Sequence, residues 1–191
     1  MPLPSSTVQR RHIHTRRIVC EAFEREDGLW DVEANMSDVK SYDVERAKAG
    51  RPVHDMWVRL TLDTGFVIRE VASAMDAFPR GECPHAVNPM QDLVGIKIGA
   101  GWQAEVRKRI GGALGCTHLR ELLAPMATTA MQAMGGVLRS RGSGGPHHSR
   151  PKDGVAPLAY GRGTCFAKSD DGDRARYRET FRVRAALAAG D

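Results

Sequence analysis

The sequence predicts an α+β fold, an antiparallel β-meander sheet with helices packed on one face. Three observations carry that expectation. The strand-like segments all precede the helix-like ones. Two short turn signals, Asp27-Gly28 and Thr64-Gly65, each separate a pair of strand candidates. Between residues 102 and 134 the apolar residues recur with helical spacing. A chain of 191 residues is long enough for one compact domain with its own core.

The elements follow in order. Residues 1–15 read as a flexible basic arm. "RRIVCEAF", 16–23, is the first strand candidate. After the Asp27-Gly28 turn, Trp30, Val32, Ala34 and Met36 alternate with Asp31, Glu33, Asn35 and Ser37, the period of a half-buried strand. Residues 38–53 are polar and irregular. "MWVRLTLD" and "FVIREVASAM" then flank Thr64-Gly65 as a second antiparallel hairpin. "DAFPRGECPHAVNPM" carries three prolines and is expected to be loop, and "QDLVGIKIG" a short helix or turn.

In "GWQAEVRKRIGG", Trp102, Val106 and Ile110 share one helical face, and Gly111-Gly112 stop the helix. Leu119, Leu122, Leu123, Met126, Ala127, Ala130, Met131 and Met134 mark a last helix over 117–134. Pro125 should kink or split it, and Gly135-Gly136 should end it. "RSRGSGGPHHSRPKDG" has a linker's composition. Beyond it, Asp171-Gly172 suggests a terminal hairpin. The expected organisation is thus an arm, 1–15, an α+β domain, 16–137, and a Gly/Pro/Arg-rich linker with a terminal hairpin, 138–191.

The net charge of +5 is unevenly spread. Residues 1–20 carry four arginines and no acid, and residues 138–191 carry eleven Lys/Arg against six Asp/Glu. The body between them is mildly acidic, which argues against a nucleic-acid partner docking on the folded domain. The first residues lack the apolar stretch of a signal peptide, and no apolar run reaches the length of a membrane span. A cytoplasmic protein without a membrane contact is expected, and there thiols stay reduced. Cys20, Cys83, Cys116 and Cys165 are then buried, metal-binding or reactive rather than paired.

"GCTHLRELL", 115–123, is the stretch richest in chemistry. Cys116 falls just before a helix whose N-cap would be Thr117. Unpaired backbone N–H groups and the helix dipole favour an anion there, which suits a thiolate acting as metal ligand or nucleophile. "GECPHAV" repeats the Cys-x-His spacing with Cys83 and His85. "RPVHDM" places His54 and Asp55 before a strand. If the hairpin strands pair, His54, Asp55, Cys83 and Cys116 converge at one end of the sheet, with His118 close by. That set, His54, Asp55, Cys83, Cys116 and His118, is the candidate metal site, for zinc or an iron–sulfur cluster. Phosphate-binding glycine loops, nucleophile elbows and HExxH motifs are absent from the sequence.

Two resemblances bear on this. "DGLWDVEANMSD", "HDMWVRLTLD", "LVGIKIGAGW" and "GCTHLREL" resemble the bacterial family called domain of unknown function 2889, over roughly residues 10–137. That resemblance implies a family and no mechanism. In feature order the chain is also similar to iron–sulfur scaffold proteins of the NifU/IscU type. There a first Cys with a nearby Asp precedes a strand, a second Cys follows the next strands, and a third opens a helix after a His. Here His54 and Asp55 stand in the first place, Cys83 in the second and Cys116 in the third. The departures are His54 in place of a Cys and Gly115 in place of the preceding His, so three thiolates are not preserved; imidazole in place of thiolate is known at iron–sulfur centres.

The resulting expectation is a metal-binding accessory or scaffold protein, with a protein partner. Two alternatives stay open. One is a thiol-dependent enzyme using Cys116 with His54 or His118 as base. The other is a non-catalytic interaction module working through its basic ends. Metal identity, substrate and oligomeric state stay open as well.

Overall fold

A computed structural model describes residues 5–141 of the chain. They form a four-stranded antiparallel sheet followed by helices, an α+β meander. The strands are β1 (His14–Glu24), β2 (Trp30–Lys40), β3 (Pro52–Leu62) and β4 (Ile68–Ala77), in spatial order β1-β2-β3-β4. A 3-10 segment, Cys83–Leu93, helix α1 (Trp102–Ile110), a short 3-10 turn (Gly112–Leu114) and helix α2 (Thr117–Arg141) follow. The chain divides into two compact units, Met1–Met134 and Gly135–Asp191. Of the second, the described part is the C-terminal end of α2. The expected terminal hairpin lies outside the described residues.

The alternation read in Trp30–Met36 is the sheet's inner face. Trp30, Val32, Ala34 and Met36 are buried, and β3 answers with Met56, Val58, Leu60 and Leu62. Residues paired across antiparallel strands point to the same side, so the register carries this face on through Ile18↔Met36↔Met56. Both strands begin or end beyond the expected limits. β2 runs to Lys40 and β3 starts at Pro52, so part of the stretch 38–53 is strand rather than irregular. Asp38 consequently continues the inner face of β2, and His54 that of β3.

Helix α2 lies over this face, with Leu119, Leu122, Leu123, Met126, Ala127, Ala130 and Met134 buried and Thr129 close to Cys20 of β1. It is one helix from Thr117 to Arg141, so it is not split at Pro125 and does not end at Gly135-Gly136, where an end was expected. An interior Pro costs about 3 kcal/mol and each Gly about 1 kcal/mol. Each fully buried Leu or Met stabilises by roughly 2 kcal/mol, so the packed stripe outweighs the breakers. The three-proline loop also differs from expectation, since Cys83–Leu93 winds as 3-10 helix with Pro89 inside it and Met90 and Leu93 in the core.

The second hairpin turn is held by Asp63, whose Oδ1 accepts from the N–H groups of Gly65 (2.8 Å) and Val67 (3.0 Å). The left-handed residue there is Phe66, at φ 66°, and not Gly65. That conformation is uncommon for a side-chain-bearing residue; burial of the Phe66 ring offsets it.

Candidate functional site

The row Arg16↔Asp38↔His54 crosses three strands on the inner face, at the end of the sheet. Above that row α2 begins, and it brings Cys116, His118 and Glu121. Asp38 is the centre. Its carboxylate is 1% exposed and accepts four hydrogen bonds. Arg16 donates from Nε to Oδ1 at 2.8 Å and from its terminal nitrogen to Oδ2 at 2.7 Å. His14 Nε2 lies 3.0 Å from Oδ1, and His54 Nδ1 lies 3.0 Å from Oδ2. Arg16 also pairs with Glu121, tying β1 to the start of α2.

Burial pushes the Asp38 carboxyl upward, but the Arg16 hydrogen bonds and charge, then His14 and His54, overcome it and bring its pKa down to about 2. Arg16 is raised in turn by its bond to Asp38. Asp38 is therefore an anion at neutral pH and can only accept. Nδ1 of His54 carries the proton in that bond, and in the neutral ring Nε2 is left with its lone pair. Burial, and then the neighbouring His118, lower the pKa of His54 and so favour that neutral ring, while Asp38 pulls the other way.

The rings of His54 and His118 stack with centroids 3.9 Å apart and planes tilted by 33°. Nδ1 of His118 faces Sγ of Cys116 at 3.9 Å. The backbone explains why Cys116 sits there. Its carbonyl accepts the first helical bond from Arg120 (3.0 Å), so Cys116 rather than Thr117 caps α2. Gly115 before it leaves no room for a side chain, because a Cβ would stand 2.8 Å from the carbonyl oxygen of Ile110.

Of the residues picked out in sequence, His54, Cys116 and His118 are brought together. Asp55 is not, because a step of one residue along a strand reverses the face. Its row is Ser37↔Asp55↔Ala77, and its Oδ1 accepts from Asn35 Nδ2 at 2.8 Å. Cys83 opens the 3-10 segment after β4, half-buried. Among the described residues, the group of acids, thiols and imidazoles close enough to share an ion is Asp38, His54 and His118, with one ligand atom from each within 4.8 Å of the others. Cys83, Asp55 and Cys116 do not belong to it; Cys116 approaches it through His118 alone, at 3.9 Å. Sequence reasoning missed Asp38, Arg16 and His14. The signal for Asp38 was available: it continues the alternation of Trp30, Val32, Ala34 and Met36, as a charge at an inward position.

Among the described residues no helix is long and apolar enough to cross a membrane. Residues 14–132, more than half of the chain, match the family described as "Protein of unknown function (DUF2889)". No curated protein and no solved structure matches the chain.

Proposed function

This chain belongs to the DUF2889 family, and we propose that it binds a single transition-metal ion, zinc in the first instance, at the end of its sheet. The observation that carries this reading is the meeting of His54 and His118. They come from β3 and α2, their ring centroids lie 3.9 Å apart, and the first is fixed by a buried carboxylate. Nε2 of His54, a ring nitrogen of His118 and Sγ of Cys116 are the ligands in this reading. Asp38 orients His54, since all four lone-pair directions of its carboxylate already receive N–H donors. Two imidazoles and one thiol suit a single zinc ion. An iron–sulfur cluster is held chiefly by thiolates, and this set offers one, so it fits a cluster poorly.

The role that suits such a protein is a cytoplasmic accessory or scaffold that holds metal for a protein partner. The basis is the incomplete ligand set: three protein ligands leave a position open. The test is metal content of the full chain purified without oxygen, followed by zinc titration of the metal-free protein. Stoichiometric zinc, lost in His54→Ala and His118→Ala and weakened in Cys116→Ser, is the expected result. No bound metal, or unchanged binding in the His54→Ala/His118→Ala double variant, overturns the proposal.

A second reading rests on the 3.9 Å approach of Cys116 Sγ to His118 Nδ1. It makes Cys116 the nucleophile of a thiol-dependent enzyme with His118 as base. That reading requires a single hyper-reactive thiol in metal-free protein, and Cys116→Ser protein that no longer takes up iodoacetamide there.

A further inference from the structure

The two edges of the sheet are treated differently. Along β4 the segment 91–98 covers the start of the edge, at Ile68 and Val71. Ile68 donates to Ile96 (2.9 Å), Gly95 donates to Ile68 (2.8 Å), and the Gln91 side chain donates to the Val71 carbonyl (2.8 Å). Along β1, no strand of the described residues pairs with the outer edge from His14 to Phe23. The strand is eleven residues long, and its register to β2 runs without a bulge. It contains no proline, and not one of its residues is buried. Ile18, Val19 and Phe23 are 40%, 54% and 46% exposed. A long, regular edge with exposed apolar residues is what natural sheets otherwise blunt or cover.

The order of residues along β1 says what fits it. In "HTRRIVCEAFE" the bases precede Val19 and the acids follow it. An antiparallel strand of the same sequence, centred on Val19, sets Arg17 opposite Glu21 of the second copy and Glu21 opposite its Arg17. It also sets Ile18 opposite Cys20 and Val19 opposite Val19. Each residue meets one of its own parity, so inner face continues inner face. Arg17 and Glu21 are both exposed, and neither has an ion pair among the described residues. We propose that β1 pairs with β1 of a second copy about a two-fold axis through Val19, joining two sheets into one of eight strands.

The test is the sedimentation behaviour of the full chain across the micromolar range, with charge variants at the two positions. Wild type is expected to dimerise. Arg17→Glu and Glu21→Arg, each placing like charges opposite one another twice, should each weaken the dimer roughly tenfold or more. Mixing the two variants should restore it, since one then supplies only acids and the other only bases. The double swap R17E/E21R should also restore it. The restorations show that the single variants are folded. A wild type monomeric throughout overturns the proposal; β1 amides protected from exchange in that monomer would assign the edge to residues 142–191 of the same chain. A dimer indifferent to both variants, or unrestored by mixing, overturns it as well.

Discussion

Nδ1 of His54 stands 3.0 Å from Oδ2 of Asp38, and that bond decides which nitrogen of the ring is free. An anionic carboxylate cannot donate, so the imidazole proton sits on Nδ1 and the lone pair on Nε2. Asp38→Asn keeps the shape but replaces one acceptor oxygen by an NH₂ group. The amide NH₂ then opposes one Arg16 donor in either orientation, together with His54 at the Oδ2 position or His14 at the Oδ1 position. Zinc affinity should fall about 10–100-fold, as for other orienting carboxylates behind a ligating histidine. Titration of the metal-free variant against wild type checks this; unchanged affinity would remove Asp38 from the site.

The same carboxylate gives the fold an acid limit. Its folded pKa, about 2, is below the ordinary value of 3.8. The group therefore stabilises the folded state fully above the unfolded pKa. The contribution is lost as pH falls from about 4 to about 2, because the unfolded chain binds the proton first. The size is about 2 kcal/mol. Urea unfolding of metal-free protein at pH 6 and at pH 2.5 should show the loss, and Asp38→Asn should show a smaller pH dependence over that window.

The fold was legible because its signals are local. Period-two alternation in Trp30–Met36 and the 3.6-residue stripe from Leu119 to Met134 each state which face is buried. Of the candidate site, the sequence picked out His54 and His118, with Cys116 beside His118. Asp38 was hidden because the polar stretch after Met36 reads as irregular, although the strand runs on to Lys40. Arg16 and His14 were hidden because their role depends on the register of β1 against β2, which no local pattern sets. Asp55 was misplaced for the opposite reason. Being next to His54 in sequence puts it on the other face of the sheet.

Arg16 is the counter-charge that lets Asp38 be buried. Its fork spans both carboxylate oxygens and its remaining nitrogen reaches Glu121. Arg16→Gln should destabilise by about 3 kcal/mol, because a buried carboxylate is left without its cation. Arg16→Lys should recover only part of that loss, since an ammonium makes no planar fork. In Arg16→Gln/Asp38→Asn both charges are gone, so the double variant should be more stable than the sum of the single losses predicts. Strict additivity in chemical denaturation would mean that the two residues do not act as a pair.

Gly115 tests whether the start of α2 is built to present Cys116. Its backbone is extended, φ −165°, so left-handed geometry is not what requires glycine there. The requirement is space: a Cβ would meet the Ile110 carbonyl oxygen at 2.8 Å and Cβ of Ile110 at 3.1 Å. The carbonyl is backbone at the end of α1, so it cannot rotate away as a side-chain tip could. Gly115→Ala must shift α1 or the cap of α2, at a cost of about 1–3 kcal/mol. The shift carries Cys116 and His118 relative to His54, which stays on β3. Zinc affinity should therefore fall together with the unfolding midpoint, whereas Gly50→Ala, strained at φ 79° but with open space around it, should lower the midpoint and leave zinc binding unchanged. Gly115→Ala protein that keeps wild-type affinity would mean that Cys116 and His118 are positioned by α2 alone, without the contact to Ile110.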